Sequence, residues 1–262
     1  MINIPFYKYQ GTGNDFILID HRQPFLQLST QDIHTMCDRH FGIGADGLML
    51  LEEAEGVDFK MVYFNSDGRE SSMCGNGGRC ITAFAKHLGL IQSEAEFLAI
   101  DGLHQARVLD HGEITLHMKD VAELIAHETY FELNTGSPHY VAYVDHLSEL
   151  DMKKEGALIR YSPKFKEEGI NVNFIDQIAD EYLNVRTYER GVEDETLSCG
   201  TGVTACALVH LKDISGIQSI QIKTPGGLLN VRRNYQGHGT YDDIWLTGPA
   251  EFVFKGEWKL RN

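Results

Sequence analysis

Long apolar runs are missing from this 262-residue chain. Stretches such as Phe16 to Ile19 and Leu48 to Leu51 fall far short of the roughly 18 residues that a membrane-spanning helix needs. Positive charge is also scarce. With 23 Lys and Arg against 38 Asp and Glu, the formal net charge is −15, so the field that would draw in phosphate backbones or anionic lipid is absent. Nucleic-acid and membrane-surface roles are excluded as expectations on that ground. The opening MINIPFYKYQ has no basic leader, apolar core or small-residue cleavage site, which predicts a cytoplasmic protein. Cysteine is too sparse for a disulfide scaffold. Five thiols, an odd number, are expected to stay reduced in the cytosol. Proline numbers only six, and no Pro-rich or Ser-rich linker interrupts the chain.

What is present repeats itself. Thr12-Gly13-Asn14-Asp15 leads into FILID, and Thr135-Gly136-Ser137-Pro138 leads into HYVAYVD, an offset of 137 − 14 = 123. Cys74-Gly75-Asn76-Gly77 and Cys199-Gly200-Thr201-Gly202 each open an apolar segment, 199 − 74 = 125 apart. FLAIDGLHQARV and IQIKTPGGLLNV form a third pair, 226 − 102 = 124 apart. Two copies of about 120 residues suit a duplicated domain better than a solenoid. The expected halves are residues 1–120 and 121–262, with the boundary near Asp120 to His127 and the closing residues, about 251–262, packed back onto the first half. Strand signals dominate in FKMVYF, LNVRTYE, SIQIKT and HYVAYVD, which are β-branched and aromatic runs bounded by turn residues. Helices are predicted over Thr30 to Arg39, Gly78 to Leu88 and Thr201 to Leu211. The fold class read from this is α+β, in two similar halves sharing a cleft.

Cys74 and Cys199 stand on Gly-rich turns at predicted helix starts, where backbone amides and the helix dipole favour a thiolate and a bound carboxylate. If one thiol comes from each half, a thiolate can take Hα from one side of a small molecule while a thiol returns a proton to the other, inverting the centre. Cys37, Cys80 and Cys206 lie in apolar helical patterns and read as core residues. The spacings Cys74 to Cys80 and Cys199 to Cys206 do not match a zinc site, and a disulfide between Cys74 and Cys199 would be oxidative damage. Gly42-Ile43-Gly44-Ala45-Asp46-Gly47 has the letters of a dinucleotide fingerprint in the wrong order: a helical pattern precedes it and a strand follows, so it reads as a helix-to-strand turn.

The stretches GTGNDF, NSDGRESSMCGNGGRC and YERGVEDETLSCGTG, with TPGG and LTGPAEF further on, resemble the diaminopimelate epimerases along essentially the whole chain. Proline racemases and hydroxyproline epimerases share the cysteine pair but lack the Glu-Arg pair ahead of the second cysteine, and phenazine-type isomerases lack the cysteines. The resemblance implies two pseudo-symmetric half-barrels, each a curled mixed sheet around a central helix with the active site in the cleft between them. It implies interconversion of L,L- and meso-2,6-diaminopimelate on the way to lysine and peptidoglycan, with no pyridoxal phosphate, other cofactor or metal, and a homodimer. By position, Cys199 resembles the proton acceptor and Cys74 the donor from L,L to meso. Gly75, Asn76, Gly200 and Thr201 would hold the reacting carboxylate through their amides, Glu189 the ammonium and Arg190 the distal carboxylate, with Asn14, Asn65 and Asn171 completing the substrate contacts. His139 matches a histidine beside the thiols. Taken alone, Asn14 after Gly13 fits a turn residue as well as a ligand contact, and Glu189-Arg190 would read as a surface pair. Gly47 and Ser137 depart from the family pattern, which has glutamine and asparagine there. The competing expectations are a racemase or epimerase of another amino acid such as a proline derivative, a thiol hydrolase with His139 as base, and a non-catalytic amino-acid-binding protein.

Overall fold

The computed structural model describes residues 2–23, 27–71, 73–179, 182–237 and 239–260. The chain divides into two compact units, residues 1–116 with 249–262, and residues 117–248; Arg261 and Asn262, at the end of the closing segment, lie outside the described residues. Among the described residues, no helix is long and apolar enough to cross a membrane.

In the first unit, β1 (Ile2–Gly11), β2 (Asn14–Asp20), α1 (Thr30–Cys37), β3 (Gly47–Glu52), β4 (Phe59–Asn65), α2 (Gly75–His87), β5 (Glu94–Ala99), β6 (Gly102–Val108) and β7 (Ile114–His117) are joined by the closing strand Glu251–Leu260. The closing strand pairs antiparallel with β1 and β1 antiparallel with β2. From there the pairing is parallel to β3, antiparallel to β4, parallel to β5, and antiparallel to β6 and β7. This sheet wraps α2, which packs on β1, β2, β3, β6 and the closing strand. Nearly every α2 residue from Gly75 to Ala85 is buried. The helix α1 starts on a capping box, in which Ser29 accepts from Asp32 N and the Asp32 carboxylate accepts from Ser29 N, satisfying orphan amides at both positions.

The second unit repeats the plan with β8 (Leu124–Ala126), β9 (Phe131–Asn134), β10 (Pro138–Tyr143), α3 (Met152–Arg160), β11 (Asn171–Ala179), β12 (Tyr182–Glu189), β13 (Asp194–Thr196), α4 (Gly200–His210), β14 (Gly216–Thr224), β15 (Gly227–Gly237) and β16 (Thr240–Gly248). From β8 through β9, β10, β11, β12, β14 and β15 to β16 the pairings run antiparallel, antiparallel, parallel, antiparallel, parallel, antiparallel, antiparallel. That is the same order of senses as in the first unit. The central helix α4 is apolar on all sides, with Val203, Ala205, Cys206, Ala207, Leu208 and Val209 buried, as a helix enclosed by a sheet must be.

Two sequence expectations are corrected. The central helices begin at Gly75 and Gly200 rather than Gly78 and Thr201. The glycine turns are themselves the first helical turn, because burial within the sheet outweighs the low helix propensity of glycine. The helix α3 was not anticipated: Gly156 in its middle hides the pattern, and Asp151 caps it by accepting from Lys154 N at 3.1 Å. The glycines from 42 to 47 do form a turn from α1 into β3.

Candidate functional site

In the first unit Cys74 is the N-cap of α2, extended at φ −97°, ψ 135°. The first helical hydrogen bond runs from Gly78 N to Cys74 O at 2.7 Å, so the amides of Gly75, Asn76 and Gly77 precede the helical ladder and carry the positive end of the dipole. The Cys74 thiol stands 3.7 Å from Asn14 Oδ1, with sulfur as donor. Asn14 cannot turn its amide around freely, because its Nδ2 donates to Asp46 Oδ2 at 2.6 Å while Oδ1 also accepts from Asn76 Nδ2 at 3.3 Å. Asp46 accepts in turn from Arg39 at 2.6 Å. Neighbouring Asp15 bonds Arg39 at 2.7 Å and Lys8 at 2.7 Å; burial works against its charge, but these two cations bring the carboxyl down to about 2. Beneath the loop lies the fully buried guanidinium of Arg79. Asn65 ends β4 opposite Gly47 of β3. A Cβ on Gly47 would stand 2.5 Å from the Tyr63 ring and 3.1 Å from its hydroxyl. Phe64 O lies 2.6 Å from the same position, so ring and backbone together leave no room for a side chain at 47.

In the second unit Cys199 is the N-cap of α4, at φ −118°, ψ 111°, with Sγ 3.5 Å from Thr201 Oγ1. The first helical bond runs from Val203 N to Cys199 O at 2.9 Å. A Cβ on Gly202 would meet Asn173 Oδ1 at 2.5 Å and Cys199 Sγ at 3.3 Å, so only glycine lets strand and thiol close on the turn. Asn173 Oδ1 accepts from Thr187 Oγ1 at 2.9 Å, which points its Nδ2 at His139 Nδ1, 3.1 Å away, and at Tyr140 O, 2.9 Å away. With Nδ1 accepting, the ring proton sits on Nε2. His139 is fully buried, and that burial, helped by the Arg190 charge, takes its pKa down to about 3. The imidazole is therefore neutral, and what it can offer a neighbour is the Nε2 proton. Asn171 Nδ2 donates to Ser137 Oγ at 3.0 Å, and its Oδ1 accepts from Arg190 N at 2.8 Å. The Arg190 guanidinium donates to Glu168 O at 2.9 Å. Glu189 is the last residue of β12, paired with Asp194.

The structure thus gathers Cys74, Gly75, Asn76 and Asn14 in one unit, and Cys199, Gly200, Thr201 in the other, where Asn171, Ser137 and Arg190 form a second linked set. The remaining cysteines behave differently. Burial pushes Cys37 and Cys80 up to about 12 and Cys206 well above its ordinary value, which makes them poor proton acceptors. Sequence reasoning missed Arg39, Asp46, Tyr63, Arg79 and Asn173. The one available signal was the alternation Asn171-Val172-Asn173, which puts both amides on the same face of β11.

The diaminopimelate epimerase family model matches the chain twice, over residues 6–124 and 131–253. The diaminopimelate epimerase of Flavobacterium psychrophilum is 54% identical over 251 residues, covering 95% of this chain and 98% of that protein. That of Chlorobaculum tepidum is 42% identical over 257 residues, covering 94% and 98%. Among solved structures, a PhzF-family phenazine biosynthesis protein from Bacillus anthracis superposes with a TM-score of 0.78 at 14% identity, covering 99% of this chain and 100% of that one. A hydroxyproline epimerase from Agrobacterium vitis does so with a TM-score of 0.68 at 16% identity, covering 97% and 92%. These last two share the fold, while the matches in sequence, extending over both repeats and nearly the full length of each relative, carry more: the chain belongs to the diaminopimelate epimerase family.

Proposed function

We propose that this chain epimerises L,L-2,6-diaminopimelate to the meso isomer without a cofactor, using Cys199 and Cys74 as its two bases. The observation that carries this is the duplicated helix start: each unit places one cysteine as N-cap of a buried glycine-led helix, and none of the other three cysteines is so placed. Cys199, as a thiolate, takes Hα from one face of the α-carbon, so that the C–H bond breaks and an S–H bond forms. Cys74, as a thiol, gives its proton to the other face, and the new C–H bond completes the inversion. The amides of Gly75, Asn76, Gly200 and Thr201 hold the carboxylate into which the carbanionic charge spreads. Glu189 takes the ammonium group, and Arg190 the distal carboxylate. Asn14, Asn65 and Asn171 complete the contacts, with Ser137 orienting Asn171.

The local bonding supports this division of labour. Asn14 Oδ1, held by Asp46, accepts the Cys74 S–H and so favours the thiol, whereas the Thr201 hydroxyl can rotate to donate to a Cys199 thiolate. The thiol-hydrolase reading requires His139 as general base, and a ring with pKa about 3 is too weak a base for that task at neutral pH. The reading extends to a cytoplasmic enzyme that binds no nucleic acid and works as a homodimer, the last checked by light scattering.

Proton NMR of the reduced protein with L,L-diaminopimelate in D₂O tests the reaction. Loss of the Hα signal with appearance of the meso isomer, and no added cofactor, is the expected result; a folded, reduced protein that exchanges nothing overturns it. Cys74→Ser and Cys199→Ser should each lower turnover by roughly 10²–10⁴-fold with unchanged circular dichroism. Wild-type turnover in either variant removes the two-base mechanism.

A further inference from the structure

Arg79 is a fully buried guanidinium whose acceptors are all uncharged. Its Nη2 donates to Asn76 Oδ1 at 3.0 Å and to Thr12 Oγ1 at 3.1 Å, its Nη1 to Gly75 O at 3.3 Å, and its Nε to Pro249 O at 3.3 Å. Among the described residues no carboxylate reaches it within ion-pair distance. A buried cation without a counter-charge is strongly unfavourable, and burial accordingly disfavours the charge on Arg79. Arginine nevertheless keeps its proton in proteins. Its charge is therefore available to stabilise a negative charge that forms nearby.

The geometry points to Cys74 as the source of that charge: Arg79 is a positioning residue whose cation stabilises the thiolate left when Cys74 gives up its proton. The guanidinium holds Asn76 Oδ1, Asn76 Nδ2 holds Asn14 Oδ1, and Asn14 Oδ1 faces the Cys74 sulfur, so cation and sulfur stand at the two ends of one short chain of side chains at the start of α2. Asn14 Oδ1 accepts and cannot donate to a thiolate, so the cation acts on the sulfur through its field, and the two groups are close enough for that. The other groups that bear on this pair are Cys80 on the same helix, Glu113 ahead of β7, Asp15 on β2 and Asp46, which holds Asn14. Space for the guanidinium is kept by Gly11, where a Cβ would stand 3.4 Å from Arg79 Nη2 and 3.3 Å from Cys80 Sγ. The second unit is built otherwise. The position 125 residues on is Thr204, whose hydroxyl donates to Gly200 O at 2.9 Å. A cation is thus placed under the loop of the proposed proton donor, and a small neutral side chain at the matching place under that of the acceptor.

The role of Arg79 in turnover rests on the two-base reading, but its effect on Cys74 can be measured without it. The experiment follows iodoacetamide alkylation of Cys74 and Cys199 against pH by peptide mass spectrometry in the intact protein, Arg79→Gln, Arg79→Lys and Thr12→Asp. Thr12→Asp keeps the guanidinium in place and cancels its charge with a carboxylate; Thr12 has φ +51°, a conformation that aspartate adopts more readily than threonine. Arg79→Gln and Thr12→Asp should raise the midpoint for Cys74 by about one pH unit, lowering its alkylation rate at neutral pH about tenfold. Arg79→Lys should stay near the wild-type profile, and Cys199 should not move in any variant. An unmoved Cys74 profile in Thr12→Asp overturns the inference, as does a shift of Cys199 equal to that of Cys74, which would mean general loosening. Wild-type turnover in Cys74→Ser would instead sink the two-base reading and leave the titration result standing.

Discussion

His139 is a histidine that its surroundings keep uncharged, and this has a consequence for stability that can be signed. Its folded pKa of about 3 lies below the unfolded value of about 6.5, so between these values the unfolded chain binds a proton that the folded protein refuses. Stability from this residue is fully present above pH 6.5 and is lost as pH falls below it. At pH 5 the loss is about 2 kcal/mol relative to pH 8. Urea midpoints should therefore drop between pH 8 and pH 5, and drop less in His139→Gln, which fills a similar volume without a titrating group. Equal slopes for the two proteins would show that His139 is not the neutral, buried ring described here. The cysteines were legible in the sequence because a Cys-Gly-x-Gly turn is local. The environment of His139 was not, because Asn173 lies 34 residues away and only the parallel pairing of β10 with β11 brings it alongside.

At the scale of the element, glycine decides what sequence could and could not show. Strands β4, β10, β12 and β14 fall where β-branched and aromatic runs bounded by turn residues place them. The starts of α2 and α4 did not, since a run of glycines reads as loop until the enclosing sheet is known. Gly156 shows the same effect inside α3. Replacing a helical glycine by alanine ordinarily stabilises by about 1 kcal/mol, but here the added Cβ would stand 2.4 Å from Tyr188 Cβ and 2.5 Å from its Cγ. Tyr188 is buried on β12, so the clash is between two packed elements and cannot be relieved by a flexible chain end. Gly156→Ala should therefore destabilise by about 1–3 kcal/mol, read as a fall in the thermal midpoint. A rise would mean that α3 does not rest on β12 at the distance seen.

At the scale of the whole molecule, the repeat was legible as three matching offsets, and the two units carry the same succession of parallel and antiparallel pairings because the same segments recur in the same order. They differ in how the chain supplies them. All eight strands of the repeated plan lie within residues 117–248 in the second unit, whereas the first takes its edge strand from the end of the chain. Glu251–Leu260 pairs with β1 from Ile2↔Leu260 to Gln10↔Glu251, and Trp258 and Leu260 pack on the core around Ile4 and Phe6. Just ahead of this strand, Pro249 O accepts from the Arg79 guanidinium, so the segment also bonds to the helix that Cys74 caps. A chain ending at Gly248 loses both. It leaves the β1 edge unpaired, which invites aggregation, and it removes an apolar layer in which the part-buried Trp258 alone is worth about 2 kcal/mol. Such a chain should be poorly soluble and inactive, while Trp258→Ala should remain soluble with a lowered urea midpoint. A soluble, active protein lacking residues 249–262 would show that the first unit is complete without its last strand.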